Sequence, residues 1–189
     1  MDKVIENSEI KVLDIKDYKN RNGYDPNFLG KVVPLPFISK GLMNDIVKLQ
    51  FSNDSELKYS NFSIVMSKSR RLAFYTAVNI DGSQLKLLER TKDIWYYDPR
   101  IEREFQYGPE LYSNNDLDRG HLVRRLDPVW GSNFKDANED TFHFSNCSPQ
   151  HKNLNQKTWL GLEDYLLRNA DVHDLKVNVF TGLYLTKMI

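Results

Sequence analysis

A histidine that follows an arginine and a glycine is the first candidate for chemistry in this chain. Asp118-Arg119-Gly120-His121 places an imidazole and a guanidinium beside a residue at which the backbone can bend sharply or approach a ligand closely. An imidazole has an ordinary pKa of about 6.5, so it can take a proton from water, a poor nucleophile at neutral pH. A guanidinium can balance the negative charge that develops on a phosphate during hydrolysis. The four residues alone leave open that His121 is an ordinary surface or core histidine.

An asparagine at the start of a predicted helix over about 153–169 is the second candidate. Asn155 is followed at helical spacing by the apolar side chains of Trp159, Leu162 and Leu166. We expect this shared face to be buried, and an inward-pointing amide then needs a polar partner. A hard cation that prefers oxygen ligands would satisfy it. Helix capping is the alternative role for an asparagine, although Asn153 can supply the cap by itself.

Glu163 is the third candidate, eight residues after Asn155. On an α-helix this spacing corresponds to about 80° around the axis and roughly 12 Å along it, so the two side chains would not bind one ion directly. Helical side chains lean toward the N-terminus, and Glu163 can therefore reach back and hold a water of the ion. The alternative is a solvated glutamate paired with Lys157 or Arg168.

The charge balance bears on the kind of partner. The chain has 26 Lys and Arg residues and 26 Asp and Glu residues, so its formal net charge is zero. A nucleic-acid partner would therefore need a local basic face rather than global attraction. Arg71, Arg124 and Arg125 could line such a face, although charges of this kind are more often only solvated.

Two further interpretations involve the single cysteine. His143, Cys147 and His151 are spaced four apart and could suggest zinc, but one cysteine makes a poor zinc site. Cys147 could alternatively act as a nucleophile with His121 or His151, which would make the protein a metal-independent hydrolase. No activating arrangement around Cys147 is visible in the sequence.

The composition is that of an ordinary globular protein. With 189 residues, 40% hydrophobic and 28% charged, the chain suits one domain with a real core. No apolar run is long enough to span a membrane, and the N-terminus lacks the apolar core of a signal peptide. A lone cysteine forms no internal disulfide, so we expect a cytoplasmic location.

The pattern of elements predicts an α+β fold rather than a regularly alternating one. Residues 1–58 form a lead-in with the Pro/Gly punctuation of turns and short extended pieces. After it, the predicted elements are strands over 61–67 and 71–79, a loop over 93–115, a short strand at Phe142–Asn146, the helix over 153–169 and a closing strand at Val177–Leu185.

Four ordered segments resemble a known family. They are YSNFSIVMSKSRRLAFYTAVNIDG (59–82), RGHLVRRLDPVWG (119–131), DTFHFSNCSPQ (140–150) and LNQKTWLGLEDYLL (154–167). Together they look like the first sheet hairpin and the signature blocks of the DNA/RNA non-specific endonucleases. These are ββα-metal, or His-Me finger, nucleases, which include mitochondrial endonuclease G. The resemblance covers roughly residues 57–185, and it implies two strands and a helix packed on a central, mainly antiparallel sheet.

The resemblance also implies roles for individual residues. His121 would be the general base, and Asn155 would be the protein ligand of a single Mg²⁺, for which Mn²⁺ can substitute. Glu163 would contact that ion through water, Arg119 would lie at the phosphate, and Asn146 would occupy the other active-site asparagine position. The implied activity is hydrolysis of DNA and RNA to 5′-phosphate products.

The sequence departs from the family pattern near its end. Family members usually continue past the strand that corresponds to Val177–Leu185, and Thr181-Gly182-Leu183 stands where many have TGP. We therefore expect an endonuclease domain over 59–189 that is incomplete at its C-terminus, with an exposed sheet edge. A homodimer or a partner chain could complete that sheet. The main alternative is a catalytically inactive module of the same fold that binds nucleic acid or regulates another protein.

Overall fold

The computed structural model describes residues 9–183, and it contains a four-stranded sheet, two strand pairs and one long helix. The strands are β1 (Glu9–Val12), β2 (Glu56–Tyr59), β3 (Phe62–Met66), β4 (Ala73–Asp81), β5 (Ile94–Tyr97), β6 (Leu117–His121), β7 (Cys147–His151) and β8 (Lys176–Gly182), and the helices are α1 (Phe134–Asp140) and α2 (Leu160–Val172). This irregular mixture of strands and helices confirms the predicted α+β class.

The central sheet has the order β2-β3-β4-β8, and every neighbouring pair in it is antiparallel. β3 is buried along its whole length, as expected for a strand that is covered on both faces. Asn61 makes the tight turn from β2 into β3 with a φ of 69°, a conformation that asparagine tolerates better than most residues. The predicted hairpin over 61–79 is confirmed as β3 and β4, so the local pattern of apolar residues located this part of the sheet.

β8 lies at one edge of the central sheet. It pairs with β4 from Tyr75↔Gly182 to Asp81↔Lys176, and within residues 9–183 no strand pairs with its other side. The predicted strand ran to Leu185, whose last two residues lie outside the described part of the chain. The expectation that a second copy or a partner chain completes this edge stays a prediction.

The lead-in contributes to the same core as the sheet. Tyr18 and Val47 are buried in the main hydrophobic cluster, together with Leu57 of β2. Tyr24 packs its ring 5.4 Å from that of Phe180 on β8. Residues before 59 therefore stabilise the sheet that the later strands form, and the boundary at 58/59 stays a prediction.

A two-stranded ribbon and a helix follow one another as the resemblance implied. β6 and β7 pair antiparallel from Leu117↔His151 to His121↔Cys147. A π-helical segment, Leu154–Trp159, begins after β7 and continues directly into α2. Gly120 has a reason in this ribbon, because a methyl group there would overlap the Gln150 side chain across the pair. The strand predicted at Phe142–Asn146 was misplaced: that segment ends in a 3₁₀ turn, and the strand begins only at Cys147.

The predicted loop over 93–115 also contains regular structure. β5 pairs in parallel with β1, with Glu9 opposite Ile94 and Val12 opposite Tyr97. Short 3₁₀ turns follow at Arg103–Phe105 and Pro109–Tyr112. None of the helices within residues 9–183 has the length and apolar character required to cross a membrane.

A close contact between backbones fixes α2 on the sheet. Gly82, just after β4, donates its N–H to the Leu175 carbonyl at 2.8 Å, and a methyl group at Gly82 would overlap the Ala170 carbonyl near the end of α2. We expect Gly82→Ala to lower the free energy of unfolding by about 1–3 kcal/mol, the usual effect of overpacking. Gly161→Ala is the matched control, because nothing lies within 4 Å of the added methyl group. Alanine in a helix is more stable than glycine, so we expect this variant to raise the free energy of unfolding by about 0.5–1 kcal/mol. Urea unfolding measures both; equal effects of the two variants would contradict this account of the contact.

Candidate active site

β6 presents chemically different side chains to its two sides. Asp118 faces the helix, where its Oδ2 accepts hydrogen bonds from Asn155 Nδ2 at 3.0 Å and from Gln156 Nε2 at 2.8 Å. Arg119 and His121 lie on the other face of the strand, since side chains alternate along it. Asn155 is thus hydrogen-bonded to the Asp-Arg-Gly-His motif through Asp118. Along the strand, Asp118 lies three residues and roughly 10 Å from His121.

Aromatic rings enclose the His121 imidazole. The ring lies 5.3 Å from that of Trp95 and 5.4 Å, edge to face, from that of Phe142. Part of the residue reaches the surface, but Nε2 is buried and has no hydrogen-bond partner within residues 9–183. Burial lowers the pKa of His121 to about 4, while the negative charge of Asp93 opposes the shift. The imidazole is therefore neutral at neutral pH, the protonation state that a proton acceptor requires.

Arg119 shares the Trp95 ring with His121. Its guanidinium carbon lies 5.3 Å from the centre of that ring. A cation over the face of an indole is attracted to it, so Trp95 orients both side chains that the motif supplies on this side of β6. Arg119 and His121 were predicted at one phosphate, and the structure does bring these two together.

The Asn155 amide has a defined orientation. Because Nδ2 donates to Asp118, Oδ1 is the amide atom turned away from that carboxylate. An amide oxygen is a suitable ligand for Mg²⁺, an ion that keeps several of its waters and needs few protein groups. Within residues 9–183 no cluster of three or more acidic, histidine or cysteine side chains offers an alternative metal centre. The donors present at Asn155 fit a single, largely hydrated Mg²⁺.

The helix that carries Asn155 does not follow simple α-helical spacing. Trp159 and Glu163 are partly buried, whereas Leu162, predicted on the buried face, is 54% exposed. The reason is the π-helical segment, whose i→i+5 hydrogen bonds put more residues in each turn and rotate everything after it. Glu163 therefore lies on the same inward face as Asn155, and the offset of about 80° expected from α-helical geometry was wrong.

The start of this helix also differs from the expectation. Asn153 was predicted as the cap, but it has helical backbone angles and its side chain makes no capping hydrogen bond. Instead, His151 Nδ1 accepts the Asn153 N–H at 3.2 Å. His151, which closes β7, thus satisfies one of the donors that a helix start leaves open.

A buried carboxylate that the sequence analysis did not single out lies beside Glu163. Asp127 is 7% exposed, and its Oδ1 has no hydrogen-bond partner among the described residues. Asp127 and Glu163 line a cavity of about 310 Å³ together with Trp159 and the C-terminal half of β8. Burial, reinforced by Glu163, raises the pKa of Asp127 to about 7, and burial raises that of Glu163 to about 6. The available signal was an acidic residue in an apolar stretch, between Leu126 and Pro128.

The Asp127 carboxyl predicts a pH-dependent stability. The pKa of this carboxyl is about 7 in the folded chain against an ordinary 3.8. Its stabilising contribution to the free energy of unfolding is therefore complete below about pH 4 and is lost as the pH rises through 7. Asp127→Asn removes this titration. We expect its free energy of unfolding to rise relative to that of the wild type by about 1–3 kcal/mol as the pH is raised from 5 to 8. Urea unfolding at the two pH values measures the change. Asp171→Asn, at an exposed carboxylate, is the control; a constant difference between Asp127→Asn and wild type would contradict the shift.

Asn146 holds the segment that follows His121. Its side chain is fully buried, with Oδ1 accepting the Val123 N–H and Nδ2 donating to the carbonyls of Val123 and Thr141, all at 2.9 Å. These bonds occupy the amide with backbone groups. The predicted catalytic role of Asn146 remains a prediction, and the contacts suit a residue that positions the His121 strand.

The three arginines predicted to bind the substrate all make contacts with other residues of the chain. Arg124 bonds to Asp164 on α2; Arg125 bonds to the Leu88 carbonyl and to Asn138; Arg71 bonds to the Gln106 carbonyl and lies over the Tyr107 ring. A guanidinium has five N–H donors, so these contacts fix each side chain and leave donors available. Substrate binding by these residues stays a prediction.

The residues considered for zinc or nucleophilic chemistry have other environments. His143 is buried, with Nε2 hydrogen-bonded to the Tyr18 hydroxyl at 2.6 Å and Nδ1 to the Asp140 carbonyl at 2.8 Å. Burial raises the pKa of the Cys147 thiol well above its ordinary range, which opposes formation of a thiolate nucleophile. Both side chains contribute to the core beneath the ribbon.

Comparison with known proteins gives consistent matches. The family model for DNA/RNA non-specific endonucleases matches residues 42–188. The chain is 46% identical over 179 residues to the uncharacterized protein y4fB of Sinorhizobium fredii, covering 87% of this chain and 27% of that protein. It is 30% identical over 118 residues to a nuclease of Nostoc sp., covering 62% of this chain and 39% of that protein. The chain therefore spans well under half the length of these relatives.

A solved structure shares the fold. The complex of EndoG with its inhibitor EndoGI matches with a TM-score of 0.61 and 21% sequence identity, over 81% of this chain and 62% of that one. The fold is the ββα-metal nuclease fold, with His121 on a strand of the ribbon and Asn155 on the following helix. Since the family match spans most of its length, this chain belongs to the DNA/RNA non-specific endonucleases.

Proposed function

We propose that this chain is a metal-dependent endonuclease that hydrolyses phosphodiester bonds in both DNA and RNA. One observation carries the proposal beyond family membership: the hydrogen bond from Asn155 to Asp118 joins the helix amide to the strand that presents Arg119 and His121. A proton acceptor, a cation and an oxygen ligand for a metal thus belong to one ribbon-and-helix unit. Phosphodiester hydrolysis requires these three kinds of group.

His121 is the general base in this proposal. Its neutral imidazole takes a proton from water, and the water oxygen attacks phosphorus in line with the departing 3′ oxygen, which leaves a 5′-phosphate. A pKa of about 4 makes the buried imidazole a weak base, and a phosphate anion bound beside it would raise that pKa. Arg119, held over Trp95 on the same face, supplies positive charge to the phosphate oxygens.

Asn155 would hold Mg²⁺, or Mn²⁺ in its place, through Oδ1. Bound there, the ion would stabilise negative charge on the phosphate and on the departing oxygen. Glu163 lies on the same face of the helix and would accept hydrogen bonds from the waters around the site. Its raised pKa of about 6 still leaves it mostly ionised at neutral pH, as an acceptor must be.

The substrate range follows from what these groups contact. In this proposal His121 and Arg119 act on the phosphate directly and Asn155 acts on it through the ion; the phosphate is common to DNA and RNA and carries no sequence information. Weak sequence preference and tolerance of either sugar are the expected result. The chain's single cysteine, Cys147, is a buried thiol, and we propose a cytoplasmic location on that basis.

Cleavage assays on supercoiled plasmid and on a structured RNA test the proposal. Each substrate is incubated with the protein either in Mg²⁺ or in EDTA. We expect both to be cut with Mg²⁺ and to remain intact with EDTA. Binding without cleavage in Mg²⁺ and Mn²⁺ would favour a catalytically inactive module of the same fold. Cleavage that persists in EDTA and disappears in Cys147→Ala would instead identify a cysteine hydrolase.

A further inference from the structure

A second, smaller cavity adjoins the surroundings of His121. It has a volume of about 100 Å³, and Phe142, whose ring packs 5.4 Å from that of His121, forms part of its wall. Its polar lining includes Arg90, Thr91, Lys92, Arg125, Asn138 and Glu139. The cavity therefore begins one aromatic ring away from the proposed general base.

The lining carries an excess of positive charge. Three cationic side chains, Arg90, Lys92 and Arg125, face one acidic side chain, Glu139. Arg90 also pairs with Asp93, with Nη2 and Oδ2 2.6 Å apart. Counting that pair as neutral leaves a net charge of +1, which one singly charged phosphodiester would balance. Burial and the like charge of Arg90 lower the pKa of Arg125, so an anion there would relieve an existing electrostatic cost.

The segment that supplies Arg90 and Lys92 is hydrogen-bonded to the part of the chain that follows β6. Arg125 donates from Nη2 to the Leu88 carbonyl at 3.1 Å and from Nη1 to Asn138 Oδ1 at 3.0 Å. Lys86 donates its backbone N–H to the Val129 carbonyl at 2.9 Å. These bonds hold the segment at Lys86 and at Leu88, just before Arg90 and Lys92, which line the same cavity as Arg125.

We propose that this cavity is a phosphate subsite that holds the phosphodiester next to the one cleaved at His121 on the same nucleic-acid strand. The volume admits a phosphate group, and the cationic side chains with Thr91 and Asn138 provide the donors that phosphate oxygens accept. Occupation of both positions would align the strand for attack at the first. The subsite rests on the proposed function for its nucleic-acid ligand.

The test measures binding rather than cleavage, so that effects on His121 do not enter. A fluorescein-labelled single-stranded oligonucleotide is titrated with the full chain in EDTA, and fluorescence anisotropy gives Kd at several salt concentrations. We expect Arg90→Gln/Lys92→Gln to weaken binding by roughly 3- to 10-fold at low salt, with the difference shrinking as salt rises. We expect Glu139→Gln to strengthen binding by roughly 2- to 5-fold, since it removes the only acidic group in the lining.

The opposite signs distinguish the subsite from general effects of mutation. Lys31→Gln/Lys40→Gln and Glu104→Gln are controls at exposed positions outside the lining, and we expect both to bind like the wild type. The subsite is overturned if the Arg90→Gln/Lys92→Gln and Lys31→Gln/Lys40→Gln variants weaken binding equally, or if Glu139→Gln does not tighten it. Plasmid cleavage in Mg²⁺ is scored separately: the predicted binding shifts without cleavage would support the subsite while rejecting the proposed activity.

Discussion

His121→Ala is expected to lower the rate of plasmid cleavage in Mg²⁺ by about 10²–10⁴, the usual contribution of a general base. The physical reason is the loss of the neutral imidazole that lies between Trp95 and Phe142, with its Nε2 available to take a proton. Binding of Mg²⁺ should be nearly unchanged, because Asn155 is attached to the motif through Asp118 rather than through His121. Initial rates of nicking and calorimetric titration with Mg²⁺ measure the two properties.

The matched control for this variant is His173→Ala, which removes an exposed imidazole just after α2. A thermal melt of each variant shows whether lost ring packing, rather than lost chemistry, explains the result. Added imidazole provides a further check, because the space left between the two aromatic rings can admit it and restore part of the rate. Near-wild-type cleavage by a folded His121→Ala chain would remove His121 from the proposed mechanism.

Features that depend on neighbouring residues could be predicted from the sequence. The hairpin of β3 and β4 follows from two apolar runs separated by a polar turn, whereas the ribbon and helix around His121 and Asn155 were expected only from the family resemblance. β5 was missed because β1, the strand with which it pairs within residues 9–183, lies more than eighty residues earlier in the chain. The residue types of Ile94–Tyr97 favour a strand, but the run has only four residues and continues into a stretch rich in tyrosine, proline and charge, which is typical of a loop.

The site could be predicted only in part, because residue types are visible in the sequence and their arrangement is not. The residue types at Arg119, His121 and Asn155 indicated the chemistry, but the orientation of the Asn155 amide depends on Asp118, which reaches it only in the folded chain. The face on which Glu163 lies depends on a π-helical segment that α-helical spacing does not anticipate. Asp127 carried only the weak signal of an acidic residue in an apolar stretch, because its burial beside Glu163 is a tertiary property.

Asn155→Ala is expected to produce the second large effect. It removes the oxygen proposed to hold Mg²⁺, and we expect the rate of cleavage to fall by more than about 100-fold, since even groups that only support a metal ligand contribute about 10–100-fold. Asn153→Ala is the control, because it lies two residues earlier on the same helix and its side chain makes no capping hydrogen bond. Cleavage rates across a range of Mg²⁺ concentrations separate weaker metal binding from a lower maximal rate.

Asn155→Asp gives the sharper version of this test. It would replace a donor 3.0 Å from Asp118 Oδ2 with a second carboxylate, and two carboxylates at that distance do not both ionise without a cation. We expect this variant to melt below the wild type in EDTA and to gain more thermal stability from Mg²⁺ than the wild type does. Asn155→Ala, which lacks the second carboxylate, should gain less than the wild type. If all three chains respond to Mg²⁺ alike, the ion does not bind at Asn155, and the proposed metal site is wrong even where His121 proves essential.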